Sequence, residues 1–239
     1  MREYLSPGRH RGVHPQRAVS VPDLRVAVLA SGGGSNLQAL LDATHDPEAG
    51  FSVVLVVSNR ADAGALTRAA RAGVRTATLR EDGQDPGRLL ALFAECGADL
   101  VVLAGYLKLV PTAVVSAFKG RMLNIHPALL PAFGGPGMYG RKVHQAVLAA
   151  GARVSGPTVH VVDEVYDHGR ILAQWPVPVA ADDTPETLAA RVLDAEHRLL
   201  PAVVRAWARR GAAAALSLRA AAFGPSLSLP TTFDDALAP

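Results

Sequence analysis

Short runs of apolar residues recur along the first half of the chain, separated by stretches in which apolar and polar positions mix at helical spacing. Residues 24–29 (LRVAVL), 52–57 (SVVLVV), 74–79, 100–104 (LVVLA) and the run entering LNIHP at 123 read as strands. Helices are predicted from Leu37 onward, over 64–72 with Gly73 as the stop, over 85–94, over 112–118, over 143–150, and from Thr184 as N-cap with Glu186 in the first turn. Strands that are apolar throughout, alternating with amphipathic helices, predict an α/β fold: a Rossmann-like, mostly parallel sheet with helices on both faces. The pattern then changes. Residues 156–162 alternate, and 171–179 follow closely enough to pair with them antiparallel, so the C-terminal part is antiparallel.

In sheets of this kind ligands bind beyond the carboxyl ends of the strands, and three such ends carry chemistry. After the first strand comes Ser31-Gly32-Gly33-Gly34-Ser35-Asn36 and then a helix. A glycine-rich turn opening a helix suits a phosphate, because the backbone can approach closely and free N–H groups point at the anion. The dinucleotide fingerprint needs a glycine where Leu37 stands, the Walker lysine is absent, and Asn59 replaces the acid that would hold a ribose after the second strand. These features disfavour both NAD and ATP. After the fourth strand, the apolar loop 105–111 can wall a flat ligand or pack on the next helix. After the fifth, Asn124 and His126 stand two apart and so face the same way, and Pro127 and Pro131 keep the following loop from becoming helix. The loop after the alternating strand gathers Asp163, Glu164, Asp167 and His168. Glu196 falls on the buried stripe of the last helix, between Val192 and Leu199, where a carboxylate needs a partner. It is either an acid at the edge of the stripe or an acceptor for a ligand.

Length and composition limit the alternatives. The 239 residues suit one sizeable α/β domain, placed at 24–211, with residues 1–23 expected to be a disordered extension and 212–239 a low-complexity tail. Of the 24 basic residues 21 are Arg, and they are scattered without interleaved aromatics, so nucleic acid is not an expected partner despite a pI near 9.3. The single cysteine, Cys96, allows no internal disulfide and fits a reducing, cytoplasmic setting. Metal-ligand spacing, an apolar run long enough to span a membrane, and a secretory signal are all missing from the sequence.

Six blocks in order resemble the phosphoribosylglycinamide formyltransferases, folate-dependent enzymes of purine synthesis. They are LASGGGSNLQAL (29–40), VVSNRADAGAL (56–66), DLVVLAGYLKLV (99–110), MLNIHPALLPAF (122–133), GPTVHVVDEVYDHGRILAQ (156–174) and RVLDAEHRLLPAVV (191–204). The resemblance implies the formyltransferase fold and transfer of the formyl group of 10-formyltetrahydrofolate, a co-substrate, to the amine of N1-(5-phosphoribosyl)glycinamide, without a metal. It implies that Asn124 and His126 donate to the oxygen that becomes negative as the amine adds. Asp167 would orient His126 and raise its pKa, and His126 would carry a proton towards the folate nitrogen. Gly33, Gly34, Ser35 and Asn36 would hold the substrate phosphate, and Glu196 would accept from the same substrate. Leu107, Lys108, Leu109 and Val110, with Asn124 and with Asp163, Glu164, Val165, Tyr166 and Asp167, would enclose the folate, while Thr158 and His160 support the site. An arginine for the folate tail is expected near Arg80 or Arg88.

Two features depart from the common pattern: a longer loop over 134–142, and Tyr166 and His168 beside Asp167. The neighbouring alternatives are a deformylase, which usually adds an N-terminal regulatory domain, and a tRNA formyltransferase, which usually adds a C-terminal one. A non-catalytic phosphate-binding module would not need Asn124, His126 and Asp167 together. Oligomeric state is left open by the sequence.

Overall fold

The computed structural model describes residues 23–80 and 82–215. The expected extension before residue 23 and the tail from 216 onward lie outside the described residues. Within them, five strands form a parallel array: β1 (Leu24–Leu29), β2 (Phe51–Ser58), β3 (Arg75–Thr78), β4 (Leu100–Leu103) and β5 (Met122–His126). Strands β7 (Thr158–Val161) and β8 (Ile171–Gln174) continue the same sheet antiparallel, in the order β3-β2-β1-β4-β5-β7-β8. The strands at the centre are buried on both faces, as their unbroken apolar sequence requires.

One face packs Val26, Val28 and Val102 against α1 (Ser35–Ala43), α2 (Gly64–Arg71) and the long α6 (Pro185–Ala215). The other packs Ala27, Leu29 and Val101 against α3 (Pro86–Glu95) and α4 (Thr112–Ala117). A third, smaller cluster joins Val147 of α5 (Arg141–Ala149) to Leu188, Val192 and Ala195 of α6. The reversal of strand order lies between β1 and β4, which places the crevice at their carboxyl ends.

The predicted strand over 171–179 is corrected: it breaks after Gln174. Trp175 N–H donates to the Pro157 carbonyl, Pro176 has no N–H to continue the ladder, and Val177 pairs with Ser155 in a separate two-stranded sheet of β6 (Val154–Ser155) and β9 (Val177–Pro178). Helix α6 runs to Ala215, past the expected domain end at Gly211.

Candidate active site

The register of β5 against β7 places Asn124 opposite His160 and His126 opposite Thr158, so four polar side chains form a patch on one face of the sheet. Each is held. Asn124 Nδ2 donates to His160 Nε2 (3.0 Å), and His160 Nδ1 donates to the Val161 carbonyl (3.0 Å). Thr158 Oγ1 donates to the Ala128 carbonyl (2.6 Å) and accepts from Leu130 N–H (3.0 Å) and from Gln174 Nε2 (3.0 Å). One buried hydroxyl thereby pins the loop that follows His126.

Asp167 arrives from the β7–β8 loop with φ 54°, a left-handed conformation that an aspartate tolerates better than most residues. Its Oδ1 accepts from Asn124 Nδ2 (3.3 Å), its Oδ2 accepts from Gly135 N–H (2.9 Å), and Oδ2 lies 3.4 Å from His126 Nδ1. His126 Nε2 donates to the Phe133 carbonyl (2.9 Å), so the ring is clamped at both nitrogens. Gly134, between these contacts, has no room for a side chain: a Cβ there would lie 2.5 Å from Leu130 Cδ2 and 3.1 Å from Asp167 Cβ. The expected trio of Asn124, His126 and Asp167 is therefore brought together, with Thr158 and His160 behind it.

The trio lines a cavity of about 640 Å³, in the size range of small-molecule sites. Leu107, Lys108, Leu109, Val110, Asp163, Val165 and Tyr166 wall it on one side, and Asn36 and Glu196 line it too. Glu164 does not: it is exposed and is not part of the cavity wall. Gly33 lies in a different surface depression beside Arg68 and Gln38, and Gly34 and Ser35 line neither hollow. Arg80 and Arg88 are exposed and away from the cavity wall.

Some residues were not singled out from the sequence. Ser31 Oγ donates to Asn59 Oδ1 (2.6 Å) and accepts from Leu107 N–H (3.0 Å), joining three strand ends at the crevice. Gln174 donates to the Leu130 carbonyl (2.9 Å) as well as to Thr158. Its place opposite Thr158 in the β7–β8 ladder is the signal that could have found it. The glycine-rich stretch from Gly135 to Arg141, and His144 of α5, complete the cavity wall. Among the described residues no cluster of three or more His, Cys, Asp or Glu side chains could hold a metal ion, and no helix is long and apolar enough to cross a membrane.

The formyl transferase family model matches residues 24–204. The chain belongs to the formyl transferase family. It is 52% identical over 188 residues, 76% of this chain, to the chloroplastic phosphoribosylglycinamide formyltransferase of Arabidopsis thaliana. The chain spans 64% of the length of the two plant relatives it matches at 47–52% identity. Among solved structures, it is similar to the phosphoribosylglycinamide formyltransferase of Brucella melitensis (42% identity, TM-score 0.72, 78% of this chain and 96% of that one). It is also similar to that of Anaplasma phagocytophilum (37% identity, TM-score 0.73, 78% and 87%).

Asp167 pulls the pKa of His126 upward, as expected, but it is not the largest influence on that ring. Burial lowers the pKa of His126, and it outweighs the opposing pull of Asp167 and of the Phe133 carbonyl, with the nearby His160 adding to the lowering. Burial pushes Asp167 up, but the His160 ring, the charge of His126 and Gly135 N–H together hold it below the usual carboxylate range. Glu196 goes the other way: burial pushes it up to about 7, partly offset by Asn36 Nδ2, which donates to its Oε2.

Proposed function

We propose that the chain transfers the formyl group of 10-formyltetrahydrofolate to the amine of N1-(5-phosphoribosyl)glycinamide, releasing tetrahydrofolate, as a step of purine synthesis. The observation that carries this reading is that Asn124, His126 and Asp167 line one cavity together with the loops 105–110 and 162–167 and with Asn36 and Glu196. Two reactants held in that one cavity meet at the trio, which turns a bimolecular encounter into a positioned one.

Each residue has a task that its geometry permits. Asn124 Nδ2 donates to the formyl oxygen as the amine adds to the formyl carbon. To do so it exchanges the longer of its two contacts, the 3.3 Å one to Asp167. Donors aimed at a developing negative oxygen in a water-poor site are worth on the order of 10²–10³ in rate each. His126 takes the proton that the amine loses as it adds to the formyl carbon, with Asp167 beside its Nδ1 to stabilise the imidazolium, and passes it to the folate nitrogen as the bond from that nitrogen to the formyl carbon breaks. The apolar side chains of Leu107, Leu109 and Val165 offer a surface for the pterin, and the first turn of α1, which no side chain caps, offers N–H groups to the substrate phosphate. The cytoplasmic setting stays part of this reading, although the plant relatives are named as chloroplastic proteins.

The test mixes the protein with 10-formyltetrahydrofolate and follows tetrahydrofolate release with and without phosphoribosylglycinamide. Release that needs the amine, and that falls at least 10²-fold in His126→Ala, supports the transferase. Release without the amine would make water the acceptor and replace this reading by a deformylase.

A further inference from the structure

The half of the cavity that lies towards α1 is walled by Asn36, by Ala189, Leu193 and Glu196 on one face of α6, and by His144 of α5. His144 is only 4% exposed, and its Nδ1 is buried with no hydrogen-bond partner among the described residues. Asn36 Oδ1, in the same wall, is also buried and unpartnered. Two side chains of one cavity wall thus each keep a polar atom buried and unpartnered, which is expensive, and a ligand that draws either group round to meet it removes that cost.

The neighbouring polar groups are already committed. Glu196 accepts from Asn36, and His126 is clamped between Phe133 and Asp167. A leucine or phenylalanine at 144 would fill the space without leaving a nitrogen unpaired, so packing alone does not explain an imidazole there. Burial and the nearby His126 both hold His144 in its neutral form, with one donor and one acceptor nitrogen. That pairing matches a hydroxyl, which also donates and accepts, better than it matches a phosphate dianion.

We propose that His144 is a binding residue for the acceptor substrate, hydrogen-bonded to a ribose hydroxyl and setting the distance of the amine from Asn124 and His126. The inference rests on the transferase reading above and adds a residue to it. It divides the work on the acceptor: the α1 turn takes the phosphate, and His144 takes a sugar hydroxyl.

The experiment compares wild type, His144→Ala and His144→Asn in the amine-dependent release assay, varying each substrate in turn. Loss of one hydrogen bond predicts a KM for phosphoribosylglycinamide raised about tenfold in His144→Ala, with the KM for 10-formyltetrahydrofolate within about twofold of wild type. His144→Asn keeps a polar atom near the Nδ1 position and recovers most of the loss. In the wild-type protein, the imidazole nitrogens of His144 shift in ¹H–¹⁵N spectra on adding phosphoribosylglycinamide alone and stay in place on adding the folate alone. An unchanged acceptor KM in His144→Ala, an equal rise for both substrates, or nitrogens that respond only to the folate would each overturn the assignment. If wild type releases no tetrahydrofolate in response to the amine, the transferase reading itself fails. If it does and His144→Ala behaves as wild type, only the role of His144 fails.

Discussion

At the scale of single residues, burial decides more than charge pairing does. An aspartate beside a histidine normally favours imidazolium, yet His126 is enclosed so completely that desolvation prevails and its pKa falls. Glu196 carries the same physics with the opposite sign. Its folded pKa of about 7 stands above the ordinary 4.5, so the folded state keeps a proton that the unfolded chain has released. The resulting stability is fully present below the unfolded pKa and is lost as pH rises through about 7. Glu196→Gln keeps an oxygen for Asn36 and removes the titration. Its stability relative to wild type is therefore expected to increase between pH 5 and pH 8, by on the order of 3 kcal/mol. Chemical denaturation at a series of pH values checks this, and a difference that stays flat with pH would refute the raised pKa.

At the scale of elements, the turns that present the site are set by close approach. Gly34 has φ 76°, and a Cβ there would lie 2.7 Å from the Ala65 Cα on α2. Gly34→Ala is expected to cost at least about 2 kcal/mol, from the left-handed strain and the displaced helix together, read as a lower denaturation midpoint. Thr158→Val tests the strut under the catalytic loop. It leaves Ala128 O and Leu130 N–H buried without their partner, which predicts a loss of about 1–3 kcal/mol and a reduced kcat, both restored by Thr158→Ser. Helix α6 shows where local preference yields: Pro201 stands inside it, and the helix continues because Leu199, Leu200, Val203 and Val204 are all buried against the sheet. Its start follows local rules, since Thr184 and Thr187 cap each other reciprocally, with Thr184 N–H donating to Thr187 Oγ1 (2.9 Å) and Thr187 N–H to Thr184 Oγ1 (3.3 Å).

At the scale of the whole molecule, α6 ties the parts together. Its first turns build the cluster with α5, and its later turns build the main core with α1 and β1. The antiparallel end of the sheet and the parallel array are therefore expected to unfold as one unit. Tryptophan fluorescence, reporting Trp175 and Trp207, should overlay far-UV circular dichroism in a single transition, and two separated midpoints would contradict the shared core. The sequence by itself determined the parallel sheet, the glycine turn and the common face of Asn124 and His126, because apolar runs, glycines and a two-residue spacing act over neighbouring positions. It also carried the six blocks that point to the formyl transferase family. Only the tertiary structure decided that Asp167 meets Asn124 across 43 positions and Glu196 meets Asn36 across 160, that Glu164 stays out of the cavity wall, and that His144 joins it. It also decided the net shift of His126, where burial outweighs the upward pull of Asp167, because the desolvation of a ring depends on everything packed around it and not on the residues beside it in the chain.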